Sequence, residues 1–319
     1  MRSRLILFDL VKLILAFLVV NLHVESFVTG EHFSYLYYLG WYAVPLFVAI
    51  TFYFNAKHYY VGLSSSRLTS KLKRLLVPFV FWSVLGFIFH PELVTLKYIL
   101  RQITMGTAVN APLYYLLVVF WLTLLYYLVF KLNKNTNKLL IAVVGLSLLW
   151  EALGIKSSFA ASLPIQIEFF VSRLVELVKY GALGLLVYQI DLTQLPKYSG
   201  LLLLLATSIS QSHVYEQWAV GQTGLTYSGQ VQFFDVMLIM LTIIYYAPRL
   251  RSQLLDQISL LGKYALGIYC LHSFFIDYII KIGFTYNHFA LSALIIISCI
   301  LISLGIKSLS SSKLSLVVE

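Results

Sequence analysis

The chain has 319 residues, of which 60% are hydrophobic and only 11% are charged. Its mean hydropathy of +0.85 excludes an ordinary soluble enzyme, a disordered tail and a fibrous chain. Long apolar runs in a lipid bilayer must form helices or closed barrels, and the runs here are continuous rather than alternating, which excludes a barrel. The composition therefore predicts an all-α, polytopic helical membrane protein.

The formal net charge of +10 does not indicate a nucleic-acid partner. The basic residues lie in short segments between apolar runs, where they record the orientation of a membrane protein. The two cysteines, Cys270 and Cys299, each fall inside an apolar run and are interpreted as small buried apolar groups. The spacing of the histidines and cysteines predicts no metal site.

About ten membrane-spanning helices are predicted, since a bilayer core needs about 20 mostly apolar residues per helix. The N-terminal stretch looks like a signal peptide, but Asp9 and Lys12 interrupt it and no cleavage pattern follows, so we interpret it as a retained helix. Pro45 falls inside the second span and predicts a kink there. The spans lie near 5–24, 39–56, 76–92, 113–131, 139–154, 169–189, 198–213, 232–248, 261–281 and 287–307.

The distribution of Lys and Arg predicts the orientation of these spans. With ten spans, sixteen of the 23 basic residues fall on the side of both termini and four fall on the other side. This bias predicts a multi-pass protein of the cell membrane with both termini in the cytoplasm. No repeat and no long linker interrupts the pattern, so residues 1–319 are expected to form a single membrane-embedded domain.

The first span, RLILFDLVKLILAFLVVNLHVESF, has the most informative polar pattern. Asp9 and Lys12 are three residues apart and can pair on one helical face. Lys12 and His23 are separated by about three full turns, so they share a face with a rise of roughly 16 Å between them. This pattern fits either a donor-binding cation and a general base, or a snorkelling lysine and an interfacial histidine.

Other polar residues at membrane depth are also functional candidates. In the sixth span, Arg173 and Glu176 are expected to form a structural ion pair, and Lys179 extends that polar stripe. His272, in the ninth span, is interpreted either as a hydrogen-bonded structural group or as a catalytic one. The basic run before the third span, which includes Lys71 and Arg74, fits either membrane topology or a phosphate-bearing donor.

Six segments, taken in order, resemble the acyltransferase-3 family of integral membrane acyltransferases. The first resembles that family's opening helix, in which a basic residue is followed by ten residues and a histidine, here Lys12 and His23. The similar segments are FDLVKLILAFLVVNLH (8–23), WYAVPLFVAITFYF (41–54), RLTSKLKRLLVPFVFW (67–82), APLYYLLVVFWLTLLYYL (111–128), ELVKYGALGLLVYQ (176–189) and LGKYALGIYCLHSFFI (261–276). Thr51-Phe52 and Tyr114-Tyr115 depart from the family's usual Ser-Gly and Trp-Phe.

The resemblance implies transfer of an acyl group, usually acetyl, from cytoplasmic acyl-CoA to a hydroxyl of an extracytoplasmic glycan or similar acceptor. It implies that the donor phosphates bind to Lys12, Lys71 and Arg74 and that the thioester lies near His23. His23 would act as the general base, with a covalent acyl-imidazole as the alternative. Oxyanion stabilisation is expected from one of three residues, Arg173, Tyr115 or His272.

Two other functions remain open from the sequence. Ten helices with interior charges also suit a transporter or flippase for a lipid-linked glycan or small solute, although no repeat supports it. A non-catalytic or degenerate family member that senses an acyl donor is the third possibility. The acceptor and the oligomeric state are not predicted.

Overall fold

The computed structural model describes residues 6–29, 34–109, 111–132, 135–153, 165–192, 194–220, 229–250, 253–283 and 287–309. Within these residues the regular structure is entirely helical, which confirms the all-α class. The α-helices are α1 Ile6–Val24, α2 Tyr35–Gly40, α3 Ala43–Val61, α4 Ser65–Phe89, α5 Leu96–Met105, α6 Tyr114–Leu132, α7 Thr136–Ala152, α8 Ile165–Val187, α9 Lys197–Ser210, α10 Ser212–Val220, α11 Gln230–Tyr246, α12 Gln253–Ser259, α13 Ala265–Lys281 and α14 His288–Leu309.

Six helical stretches among the described residues are long and apolar enough to cross a membrane. They are Ile6–Phe27, Tyr35–Val61, Ser65–Phe89, Tyr114–Leu132, Leu255–Lys281 and His288–Ser308. The other four predicted spans coincide with helices α7, α8, α9 and α11, of which α11 is a shorter apolar helix. The chain is thus a multi-pass helical protein, and the count of ten stays a prediction.

One face of α4 shows how these helices suit lipid. Val77, Val80, Val84 and Ile88 are all exposed, with fractions between 40% and 66%. Their spacing of three and four residues puts them on a single stripe of the helix. An exposed apolar stripe of this length would be unfavourable in water and is expected where a helix faces hydrocarbon chains.

Helix α4 begins earlier than the sequence pattern predicted. The basic run was expected to be a loop before a span at 76–92, whereas the helix extends from Ser65 to Phe89. The Ser64 side chain accepts a hydrogen bond from the Arg67 backbone N–H at 3.4 Å, which caps the first turn. Lys71 and Arg74 are therefore helical, and Pro78 lies inside the helix rather than at its start.

Helix α3 also differs from the predicted second span. The chain turns at Trp41 and Tyr42, between α2 and α3, so Pro45 lies in the first turn of α3 rather than in mid-helix. Proline is tolerated in a first turn because the N–H that it lacks would have no partner within the helix. The predicted kink is replaced by a break between two helices.

The chain divides into two compact units, and each is described by itself. Unit 1 comprises Met1–Ile50, Ile190–Tyr227 and Val231–Glu319, and its helix α1 packs against α2, α13 and α14. Helix α1 also contacts the 3-10 turn Leu260–Tyr264 very closely. A Cβ atom added to Gly262 would lie 2.0 Å from the Asp9 carbonyl oxygen, so only glycine fits there.

Unit 2 comprises Thr51–Gln189 and Ser228–Gln230, and in it α7 packs on α8 and α6 contacts both α4 and α8. Phe52 is fully buried, and its ring lies 4.9 Å from that of Tyr126. Gly181 on α8 makes room for both rings, since an added Cβ would lie 2.7 Å from Tyr126 and 3.1 Å from Phe52. The bulky Phe52, where the family usually has glycine, is accommodated by this small residue on the facing helix.

Lys179 forms an ion pair that the sequence did not predict. Its Nζ lies 2.5 Å from Glu151 Oε1, and the two side chains are 0% and 6% exposed. Residue 151 is on α7 and residue 179 on α8, so the pair joins the two helices. A buried ion pair is costly to break by removing one partner, because the other charge is then left without compensation.

Replacing Lys179 by methionine is expected to lower the free energy of unfolding by about 3–5 kcal/mol, since the Glu151 carboxylate would stay buried without its cation. The double variant Glu151→Gln/Lys179→Met removes both charges and is expected to regain most of that loss. Thermal unfolding of the detergent-solubilised protein measures both. Equal Tm values for wild type and Lys179→Met would contradict a stabilising role for the pair.

Candidate active site

The structure brings the two predicted catalytic histidines together in unit 1. His23 lies in the last turn of α1, and His272 lies in α13. Their ring centroids are 5.2 Å apart, with 27° between the ring planes. His272 is fully buried and His23 is half-buried, so His23 is the member of the pair that is open to a reactant.

The hydrogen bonding of His272 indicates its tautomer. Nδ1 lies 3.0 Å from the Ile268 carbonyl oxygen, one turn earlier in α13. A carbonyl oxygen only accepts, so Nδ1 carries the hydrogen and, in the neutral ring, Nε2 carries the lone pair. In the described part of the chain this buried Nε2 has no hydrogen-bond partner. The neutral ring thus offers an acceptor, not a donor, at Nε2.

A buried carboxylate holds the chain just beyond His23. The π-helical turn Glu25–Thr29 follows α1, and the Glu25 side chain is fully buried. Its Oε2 accepts the Ser34 backbone N–H at 2.6 Å, and its Oε1 accepts the Ser34 hydroxyl at 2.5 Å. Asn21 also donates to Glu25, and His288 Nε2 lies 3.7 Å from the same carboxylate. Glu25 therefore fixes the start of α2 relative to the end of α1.

Sequence reasoning missed Glu25, although a signal was present. It is an acidic residue at membrane depth, two positions after the predicted base His23, and such residues are functional suspects. Glu25 holds Ser34 at the start of α2, and it begins a short π-helical turn, a feature that recurs at functional sites.

The predicted cation Lys12 lies in α1 and is bound to a neighbour in the same helix. Its Nζ is 2.6 Å from Asp9 Oδ1, which is the i,i+3 pair that the spacing predicted. The Lys12 side chain is 29% exposed. An anionic ligand at this position would compete with Asp9 for the ammonium group.

In unit 2, a chain of polar contacts runs along α3 between two predicted site residues. The Lys71 ammonium donates to the side-chain oxygen of Asn55, whose amide donates to the Thr51 carbonyl at 2.8 Å. The Thr51 hydroxyl lies 3.5 Å from the Tyr115 hydroxyl. Thr51 and Tyr115 are both departures from the family pattern, and they contact each other.

The two arginines among the predicted site residues lie in different settings within unit 2. Arg173 pairs with Glu176 at 2.7 Å, as its spacing predicted, and its guanidinium lies 5.2 Å from the Phe169 ring centroid. Arg74 is exposed on α4. Charge-assisted contacts with phosphate need a cation that solvent can reach, and Arg74 meets that condition.

Comparison with known proteins identifies the family. The family model described as an acyltransferase domain, that of acyltransferase-3, matches residues 6–308. The chain belongs to the acyltransferase-3 family. No curated protein and no solved structure matches the chain. Membership makes this chain a membrane acyltransferase in general terms, and the helices described above agree with a multi-pass member of that family.

The described residues of this acyltransferase-3 protein contain no group of three or more His, Cys, Asp or Glu side chains that could hold a metal ion. Acid–base chemistry is nonetheless available from the chain itself. His23 and His272 supply titratable imidazoles, and Tyr115 supplies a hydroxyl donor.

Proposed function

We propose that the protein transfers an acetyl group from cytoplasmic acetyl-CoA to a hydroxyl of an extracytoplasmic acceptor, a cell-surface or secreted polysaccharide. The observation that carries this proposal is the stacked pair of His23 and His272 at the end of α1, in a chain of an acyltransferase family. The protein would lie in the cell membrane with both termini in the cytoplasm, as its basic residues predict.

In the proposed reaction, His23 removes the proton from the acceptor hydroxyl as the oxygen attacks the thioester carbonyl. A carbon–oxygen bond forms, the carbon–sulfur bond breaks, and the coenzyme A sulfur leaves and takes up a proton to become a free thiol. His23 returns its proton in that step, so the imidazole is regenerated. The products are an acetyl ester and coenzyme A.

In this scheme, His272 can act as a hydrogen-bond or proton acceptor but not as a donor to the oxyanion. With Nδ1–H bound to the Ile268 carbonyl, its neutral ring presents the Nε2 lone pair and has no hydrogen to give to an oxyanion. Oxyanion stabilisation then falls to Tyr115 or Arg173, the other two candidates. The Tyr115 hydroxyl is a neutral donor that already lies 3.5 Å from the Thr51 hydroxyl, and the charge of Arg173 is partly offset by Glu176.

Lys71, Arg74 and Lys12 are the proposed contacts of the donor. Lys71 and Arg74 are one helical turn apart on α4 and are suited to phosphate groups. Lys12, on α1, would exchange its contact with Asp9 for one with the donor. On a straight α1, the rise from Lys12 to His23 is roughly 16 Å, a distance that a pantetheine arm would need to cover.

Purified protein in liposomes, supplied with acetyl-labelled acetyl-CoA and a surface-polysaccharide extract, tests the proposal. Release of free thiol with label recovered in the polysaccharide is the expected result. Protein that remains folded and binds acetyl-CoA, yet releases no thiol with any acceptor, would contradict acyl transfer. Movement of a lipid-linked glycan across the liposome without thiol release would instead establish the transporter alternative.

Replacing Lys71 by methionine is expected to raise the KM for acetyl-CoA about tenfold or more and to leave kcat nearly unchanged, since a charge-assisted phosphate contact is lost. Lys73→Met is the matched control, because Lys73 lies two residues away on α4 and is exposed. Initial rates of thiol release at varied acetyl-CoA concentration measure both. Equal KM changes in the two variants would mean that the effect comes from general surface charge and not from a specific contact between Lys71 and the donor.

A further inference from the structure

A second cluster of titratable side chains lies in unit 1, and none of its residues takes part in the proton transfers proposed above. The Tyr42 hydroxyl donates to Asp235 Oδ2 at 2.7 Å and lies 2.9 Å from His213 Nε2. His213 Nε2 is itself 3.1 Å from the same carboxylate oxygen. Tyr42 lies in the turn before α3, Asp235 in the second turn of α11, and His213 at the start of α10.

Two polar atoms beside this cluster, and a third that is near it in sequence, are buried without a partner among the described residues. Asp235 is fully buried, yet its second oxygen, Oδ1, accepts no hydrogen bond. Gln232, one turn earlier on α11, donates to the Trp41 carbonyl at 3.1 Å, and its own Oε1 is without a donor. The Gln211 amide nitrogen, two residues before His213, has no acceptor. Leaving such a group buried without a hydrogen-bond partner is costly unless something binds it.

This set of atoms has a definite chemical preference. Two acceptor oxygens beside a tyrosine and a histidine match a ligand that carries several hydroxyl groups. The carboxylate oxygen can take one hydroxyl hydrogen and the amide oxygen a second. On α10 itself, Tyr215 and Trp218 pack together at 5.3 Å and expose 58% and 38% of their surfaces. Exposed aromatic rings of this kind can cover the apolar face of a sugar ring.

The cluster is connected to the end of α1 that carries His23. Glu25, two residues after His23, binds Ser34 immediately before α2. Helix α2 then leads to Tyr42, and its Tyr35 ring lies 6.2 Å from that of Trp218 on α10. A six-residue helix rises only about 9 Å, so α2 carries the chain a short way from Glu25 to the cluster. His213 is the most accessible of the three side chains in the cluster, since 22% of its surface is exposed against 0% for Asp235.

We propose that Asp235, Gln232, His213 and Tyr42 form a binding site for a hydroxyl-rich glycan unit, the acceptor of the transfer reaction. Asp235 Oδ1 and Gln232 Oε1 accept hydrogens from two hydroxyls of one sugar, and His213 admits the ligand. This inference rests on the proposed function for its biological role, although binding itself does not require acyl transfer.

Saturation-transfer NMR with methyl hexopyranosides and the detergent-solubilised protein tests the site directly. Wild type is expected to transfer saturation to the glycoside, and Asp235→Asn is expected to abolish it because an acceptor oxygen becomes an amide donor. Glu216→Gln is the matched control, since it makes the same chemical change at an exposed position of α10. If Asp235→Asn fails to fold, Gln232→Leu removes the second acceptor and should give the same loss.

The outcomes separate this site from the proposed reaction. Saturation transfer that depends on Asp235, in protein that releases no thiol, would leave the site standing and overturn acyl transfer. Where thiol is released, Asp235→Asn should raise the KM for the glycan about tenfold or more and leave that for acetyl-CoA unchanged. An unchanged glycan KM would overturn the site alone. Equal saturation transfer in wild type and Asp235→Asn, or none from wild type to any glycoside, would also overturn it.

Discussion

Replacing His23 by alanine is expected to reduce thiol release from acetyl-CoA about 10²- to 10⁴-fold, the range by which a positioned acid–base group accelerates proton transfer. The reason is geometric as well as chemical. His23 is half-buried and stacks on the buried His272, so it is the imidazole of this pair that an acceptor hydroxyl can meet. Initial rates in liposomes, with folding checked by thermal unfolding, measure the effect.

His90→Ala provides the matched histidine control, because His90 lies at the end of α4 and outside the histidine pair. Its rate of thiol release is expected to equal that of wild type. Equal rates for wild type and His23→Ala would remove His23 from the mechanism. Acid quenching of the labelled wild type addresses the covalent alternative, because stable label on the His23 peptide would require an acyl-imidazole in place of general-base catalysis.

The largest expected effect on stability is at Gly262. An alanine there would put its Cβ atom 2.0 Å from the Asp9 carbonyl oxygen and 2.7 Å from the Asp9 carbonyl carbon. Both are backbone atoms, so no side chain can rotate to make room and α1 would have to move away from the turn Leu260–Tyr264. Overpacking of this kind costs about 3 kcal/mol or more. We expect little folded Gly262→Ala protein and a marked fall in Tm.

Gly305→Ala is the control for this prediction. Gly305 lies in α14 of the same unit, and an added Cβ would meet nothing within 4 Å. Alanine at such a helical position is expected to be neutral or slightly stabilising. Thermal unfolding of the two variants side by side gives the comparison. A Tm for Gly262→Ala within error of the Gly305→Ala value would mean that the close approach of α1 to the turn is not needed.

Local features of the fold were predictable, because they depend on spacing within one helix. The i,i+3 pairs of Asp9 with Lys12 and of Arg173 with Glu176 are both present, as helical geometry requires. The all-α class was predictable from the hydrophobic composition and the continuous apolar runs. The start of α4 was predicted too late because the apolar residues that indicate a span begin only after the basic run. The helix itself begins before that run, after the Ser64 cap.

Contacts between helices distant in sequence could not be predicted. Nothing in a single sequence indicates that Lys179 faces Glu151, or that Tyr42 contacts Asp235, which lies 193 residues later in the chain. Residue spacing likewise could not predict that His23 and His272 lie close together, although both were candidate catalytic residues from the family resemblance. The number of membrane spans is also left open by length and composition alone, because α8 carries too many charges and α7, α9 and α11 are too short.

The packing of Phe52 against Gly181 has a consequence for how this sequence can change over evolutionary time. Because the buried ring occupies the space that a side chain at 181 would need, the two positions cannot both be large. A return to glycine at 52 would leave a void beside Tyr126, which a larger residue at 181 could then fill. Tolerated substitutions at these positions are therefore coupled, and either route from one pairing to the other passes through an intermediate that is overpacked or hollow.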